Sequence, residues 1–149
     1  MGSVMRSVTA VGLGVFLALL IGLLAVFGIL APVFTRFLGL ELVGSTALPT
    51  SLLVFAAAFA FYFGGMAASY RAPARRRLHG TLVAVVAFAI SPAINLATGK
   101  GMFPGLDTTR AVLLASVFLA VSVAASYVGA RRGETLYAHH QRLIRRGRR

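Results

Sequence analysis

The sequence predicts an all-α protein, a four-helix transmembrane bundle of two parallel helical hairpins in a single membrane domain. Only 12% of its 149 residues are charged and 58% are hydrophobic, whereas a soluble domain carries about 25% charged residues. Four long segments contain no Asp, Glu, Lys or Arg, and the positive charges lie at their ends. The chain also has no cysteine, which excludes disulfides, thiolate metal ligands and a cysteine nucleophile.

The first apolar segment contains no ionisable residue between Arg6 and Arg36. It predicts a membrane span at about residues 8–31, because about 20 helical residues cross a bilayer core. Pro32 predicts the end of this helix. A cleaved signal peptide is the alternative, but its apolar region would be only about 7–15 residues long. We therefore expect a retained first span.

Three further spans are predicted at about residues 50–69, 80–98 and 111–130. Pro49 suits the first turn of the second span, where its missing N–H leaves no bond unmade. Pro73 predicts a break between the second and third spans.

The distribution of cations predicts the orientation. Arg6, the four arginines of loop 71–77 and the seven of tail 131–149 fall on one side. The other side has three cations, at Arg36, Lys100 and Arg110. Retained positive charge marks the cytoplasmic face, so we expect four spans in the cell (plasma or inner) membrane, with both termini cytoplasmic.

The cytoplasmic arginines are the predicted contacts for anionic headgroups or an acidic partner. The residues concerned are Arg71, Arg75, Arg76, Arg77, Arg131, Arg132, Arg142, Arg145 and Arg146.

The basic tail has two interpretations. Leu136, His140, Leu143 and Ile144 would share one face of a short helix, which suits a helix lying on an anionic leaflet. A partly disordered, solvated tail is the alternative.

An internal repeat is indicated by Ala-Ala-Ser-Tyr at residues 67–70 and again at 124–127. Each copy follows a helix, a small residue with proline (Pro32, Pro92) and an outer linker, and precedes a basic segment. This order predicts a duplicated hairpin, with the two copies parallel. Chance similarity between alanine-rich helices remains the alternative.

Rows of small residues at four-residue spacing predict helix packing, because membrane helices associate through close backbone approach and hydrogen bonds. The rows are Gly14, Ala18 and Gly22 in the first span, Ala56, Ala60, Gly64 and Ala68 in the second, and Ser116, Ala120 and Ala124 in the fourth. The adjacent pair Gly64-Gly65 is typical of a packing contact, with a hinge as the alternative.

Chemistry at membrane depth is sparse. No Asp, Glu, Lys, Arg or His falls within the four predicted spans, which argues against proton-coupled transport and intramembrane catalysis. Ser91 and Asn95 are the intramembrane polar residues of the third span. They suit an interhelical hydrogen bond, or alternatively a polar contact in a pore. We expect no metal, no cofactor and no enzymatic activity.

Short motifs carry one resemblance: Gly-Gly in the second span, Arg-x-Leu-His-Gly at residues 76–80 and Ala-Arg-Arg-Gly at 130–133. Between Phe63 and Gly133 the chain resembles small four-span prokaryotic membrane proteins of uncharacterised families. The resemblance implies a fold and no function.

Two functions are compatible with this sequence. The first is a non-catalytic structural or accessory subunit that packs against partner membrane helices. The alternative is a small transporter or channel formed by a homo-oligomer, with Asn95 near the pathway. Nucleic-acid binding through the tail is a distant third and is not expected.

Overall fold

The computed structural model describes the backbone of residues 2–38, 48–97 and 108–147. Side chains within these ranges are described except at a few positions: 3, 37, 38, 48, 49 and 91–97. Lys100 and part of each predicted outer linker lie outside the described residues.

The described elements are all helical. They are α1 (Ser3–Leu23), which continues as helix to Leu38, α2 (Leu48–Arg71), α3 (Arg76–Ala97) and α4 (Thr108–Arg146). Three helical segments of the described chain are long and apolar enough to cross a membrane: Val4–Arg36, Thr50–Arg71 and Thr108–Arg146. The α-helical class and a membrane-compatible composition are therefore confirmed.

Pro32 does not end the first helix, contrary to the prediction from sequence. A π-helical segment, Leu24–Leu30, precedes a short α-helical turn, and a second π-helical segment, Phe34–Leu38, follows. The N–H of Ala31 donates to the carbonyl of Val26, five residues back. Such π adjustments re-satisfy backbone groups near a proline in an apolar helix, so the helix continues where the sequence predicts a stop.

The loop between α2 and α3 is short and its backbone is bonded at both ends. The N–H of Ala72 donates to the Ala68 carbonyl at 2.9 Å, and the N–H of His79 donates to the Arg75 carbonyl at 3.3 Å. Pro73 lies between the two helices, as its position in the sequence predicts. Arg75 has a φ of 43°, a left-handed conformation that non-glycine residues adopt at some cost.

Helix α4 passes through the predicted tail without a break. The sequence predicts a membrane helix ending near Ala130 and a separate tail, but one helix of 39 residues reaches Arg146. At 1.5 Å per residue it is about 58 Å long, and about 24 Å lies beyond Ala130. The tail is thus an extension of α4 and not a separate short helix.

The residue pairs between helices give their directions. Gly14 of α1 lies against Gly64, and Gly22 lies near Ala60, so α1 runs antiparallel to α2. The most extensive helix contact joins α2 and α4. These two helices are parallel, because the carbonyls of Tyr62 and Met66 lie at Gly129 and Gly133, respectively.

Candidate functional site

The α1–α2 contact is built from glycines whose missing side chains let two backbones meet. A Cβ atom placed on Gly14 would lie 2.7 Å from the carbonyl oxygen of Gly64 and 2.6 Å from Cγ2 of Val83. A Cβ atom on Gly64 would lie 2.6 Å from the carbonyl oxygen of Gly14. Any larger residue at either position would push the helices apart.

The structure brings together the rows of small residues predicted on the first two spans. Ala18, Ala56, Ala60 and Ala68 are buried, and Gly22 is half-buried with a Cβ position 3.8 Å from Ala60. Val83 of α3 closes this contact and is fully buried.

The α2–α4 contact uses a different glycine of the Gly64-Gly65 pair. A Cβ on Gly65 would collide with the backbone carbonyl of Ser126, and a Cβ on Gly129 with the carbonyl of Tyr62. Adjacent residues on a helix point about 100° apart. The Gly-Gly pair therefore gives α2 two smooth faces, one for α1 and one for α4.

Two buried serines fasten α4 to its neighbours, one through a bond with α2 and the other through a bond with α3. Ser69 Oγ donates to the carbonyl of Ala130 at 2.7 Å, and Ser126 Oγ donates to the carbonyl of Gly80 at 2.7 Å. Both serines are fully buried. They occupy the same position in the two copies of Ala-Ala-Ser-Tyr, although Ala130 and Gly80 are not equivalent residues of that repeat. The sequence analysis noted the repeated Ala-Ala-Ser-Tyr but did not predict that its serines bond to neighbouring helices.

The row predicted on the fourth span faces outward. Ser116, Ala120 and Ala124 are exposed, and the hydroxyl of Ser116 bonds within its own helix, to Val112. The buried row lies two residues further along, which is about 200° around a helix. It comprises Ser122, Ser126, Gly129, Ala130 and Gly133. The spacing of small residues fits both faces, so spacing alone did not distinguish them.

Large apolar side chains lie on the outside of the structure. Phe16 is 64% exposed, Phe27 68% and Phe55 70%. The buried side chains are small by comparison, and the largest fully buried one described is Val83. This distribution is the reverse of that in a water-soluble domain, where large apolar side chains are buried.

Arg76 is committed to contacts within the protein. Its Nη1 donates to the carbonyls of Ser69 and Tyr70, at 3.0 and 2.7 Å, near the end of α2. Its guanidinium lies 3.3 Å from the ring centroid of Tyr137 on the extension of α4. A cation at a helix C-terminus and over an aromatic ring is favourable on both counts.

Arg77 also pairs internally. Its Nε lies 2.5 Å from the Glu134 carboxylate, and both side chains are substantially exposed. The hydrogen bond and the negative charge of Glu134 raise the pKa of Arg77 above its ordinary value. Exposed ion pairs contribute little stability, so we expect this pair to add little to the free energy of folding.

Ring contacts hold the extension of α4 against the end of α2. The Tyr70 ring lies 6.0 Å from that of Tyr137 and 6.4 Å from that of His140.

The remaining arginines that the sequence predicts as contacts for headgroups or an acidic partner are exposed. They are Arg71, Arg75, Arg131, Arg132, Arg142, Arg145 and Arg146.

Ser91 and Asn95 belong to α3, but their side chains lie outside the described residues. In the part of the chain that is described, no three His, Cys, Asp or Glu side chains are grouped to hold a metal ion. That the protein uses no cofactor stays a prediction.

Comparison of the chain with protein-family models, curated proteins and solved structures found no match. The resemblance to small four-span prokaryotic membrane proteins therefore stays a hypothesis.

Proposed function

We propose that the protein is a four-span integral membrane protein with a structural or accessory, non-catalytic role. The observation that carries this proposal is its reversed distribution of side chains, with small residues inside and phenylalanines and leucines outside. In a bilayer, exposed apolar side chains meet lipid or partner helices, and close packing of small residues holds the bundle together.

The helix directions support both termini being cytoplasmic. Because α1 runs antiparallel to α2, Arg6 lies at the same end of the bundle as the basic loop 71–77. Helix α4 runs parallel to α2, so Arg131 and Arg132 emerge at that end as well. A single bundle end thus carries the cations that the positive-inside rule assigns to the cytoplasm.

Helix α3 is the fourth proposed span. From Leu78 to Ala97 it has 20 residues without Asp, Glu, Lys or Arg, and at 1.5 Å per residue these extend about 30 Å, the thickness of the hydrocarbon core. It packs on α1, α2 and α4, and Gly80, Val83, Ala84 and Ala87 are its buried residues in the described part.

An accessory role is favoured over catalysis by how the polar groups are used. The buried serine hydroxyls bond to backbone carbonyls, and Arg76 and Arg77 are occupied within the bundle. What the bundle offers outward is apolar helix surface, exposed arginines at one end and the extension of α4. These are surfaces for lipid and for partner subunits.

The proposal also includes the internal repeat predicted from the sequence, in which two parallel helical hairpins arose by duplication.

Native mass spectrometry tests the role directly. The protein is extracted gently from its own membrane, and the masses of its complexes are measured. We expect a complex with a fixed, unrelated membrane subunit. A uniform homo-oligomer with no other subunit would contradict the accessory role and favour an oligomeric transporter or channel.

A further inference from the structure

Two grooves of nearly equal volume run along the outer surface of the bundle. The first, called here the α1–α3 groove, has a volume of about 620 Å³ and is walled by residues such as Val11, Phe16, Leu82 and Val86. The second, the α1–α2 groove, has about 630 Å³ and is walled by residues such as Leu24, Leu52 and Phe55. Both volumes are in the range of small-molecule sites.

The ends of the two grooves differ. Ser7 and His79 line one end of the α1–α3 groove, whereas the lining of the α1–α2 groove consists only of apolar residues and glycine. The two grooves thus have similar volumes and largely apolar linings, but of the two only the α1–α3 groove has a polar end.

Two arginines are close in the chain to the residues of that polar end. Arg75 precedes His79 by one helical turn, and its carbonyl lies 3.2 Å from His79 Nδ1. Arg6 is adjacent to Ser7 in α1, and both arginines are exposed. Neither guanidinium has an ion pair with a carboxylate among the described residues.

We propose that the α1–α3 groove binds an anionic phospholipid, with its acyl chains along the groove and its headgroup phosphate between Arg75, His79 and Arg6. This proposal rests on the membrane placement proposed above. Basic recesses between membrane helices on the cytoplasmic side bind anionic headgroups, and that is the side to which this end of the bundle is assigned. The α1–α2 groove holds lipid without preference for the headgroup.

The chain has no tryptophan, so one introduced residue reports on one groove. Phe16→Trp places the reporter in the α1–α3 groove and Phe55→Trp places it in the α1–α2 groove, both at exposed positions. Each variant is reconstituted in vesicles containing brominated phosphatidylglycerol or, separately, brominated phosphatidylcholine. Quenching of tryptophan fluorescence then gives the relative affinity of each groove for the two lipids.

Two sets of changes identify what is recognised. Arg6→Gln, Arg75→Asn and His79→Gln together remove the basic end, and asparagine tolerates the left-handed backbone at residue 75. Gly12→Leu fills the α1–α3 groove, and Gly28→Leu fills the α1–α2 groove as its matched control. A Cβ atom at either glycine meets nothing within 4 Å, so both variants are expected to fold.

We expect the Phe16→Trp reporter to prefer phosphatidylglycerol about fivefold for each basic residue engaged. That preference should be lost when Arg6→Gln, Arg75→Asn and His79→Gln are combined or with Gly12→Leu, and kept with Gly28→Leu. Equal quenching of this reporter by both lipids, or a preference that survives loss of the basic end, would overturn the lipid site alone. Absence of quenching by either lipid at both reporters would overturn the membrane placement as well.

Discussion

Gly129 lies where α4 meets the backbone of α2, and replacing it with alanine tests the packing of the bundle most sharply. The added methyl group would collide with the carbonyl of Tyr62, and a backbone atom cannot rotate aside as a flexible side chain can. Overpacking of this kind costs about 1–3 kcal/mol. Separation of α2 and α4 would also stretch the hydrogen bond from Ser69 to Ala130, and interhelical bonds in membranes contribute about 0.6 kcal/mol on average. The gain in helix propensity offsets up to about 1 kcal/mol of this cost. We expect Gly129→Ala to lower the free energy of unfolding by about 1–3 kcal/mol.

Gly12→Ala is the matched control, because a Cβ at this exposed helical position meets nothing within 4 Å. Its higher helix propensity should stabilise the protein by up to about 1 kcal/mol. Both variants are compared with the parent by reversible unfolding in mixed detergent micelles, followed by circular dichroism. A Gly129→Ala protein as stable as the Gly12→Ala protein would refute the close α2–α4 contact.

Three further predictions concern the serine bond and the arginines. Ser126→Ala removes the interhelical hydrogen bond to the carbonyl of Gly80 and should cost about 0.6–1.7 kcal/mol in the same unfolding assay, whereas Ser116→Ala, at an exposed position, should cost less than about 0.5 kcal/mol; equal effects would contradict the assignment. Arg76→Gln should lower the thermal midpoint in detergent because it loses two carbonyl bonds and a ring contact, while Arg71→Gln should leave it unchanged; the reverse order would show that Arg76 is not part of the fold. Glu134→Gln removes an exposed ion pair and should leave the midpoint unchanged at low and high salt, and a marked loss at low salt would contradict its minor role.

The sequence predicts the helical class, the four apolar segments and the packing rows of the first two spans. These features follow from composition and from spacing at 3.6 residues per turn. The row Gly14–Gly22 meets the row Ala56–Ala68 because small residues on each helix share one face. Pro73 also lies between helices, as its position in the sequence predicts.

Other features depend on tertiary context. Pro32 lies inside a helix because π-helical segments flank it, which no local pattern indicates. The small residues of α4 fit two opposite faces, and only contact with Gly65 and Ser69 selects the face of Ser126. The sequence presents the basic tail as separate from the fourth membrane helix. In the structure its Tyr137 and His140 contact Tyr70, at the end of α2, and Tyr137 also contacts Arg76.

Single-cysteine labelling tests the central claim most directly, because the native chain contains no cysteine. Cysteine is placed at exposed positions in turn, Thr35, Ala74, Thr108 and Ala138, and intact cells are treated with a membrane-impermeant maleimide. Four spans with cytoplasmic termini predict labelling at Thr35 and Thr108, with Ala74 and Ala138 protected until the cells are permeabilised. Equal labelling of Ala74 and Thr108 in intact cells would contradict α3 as a span and, with it, the four-span account.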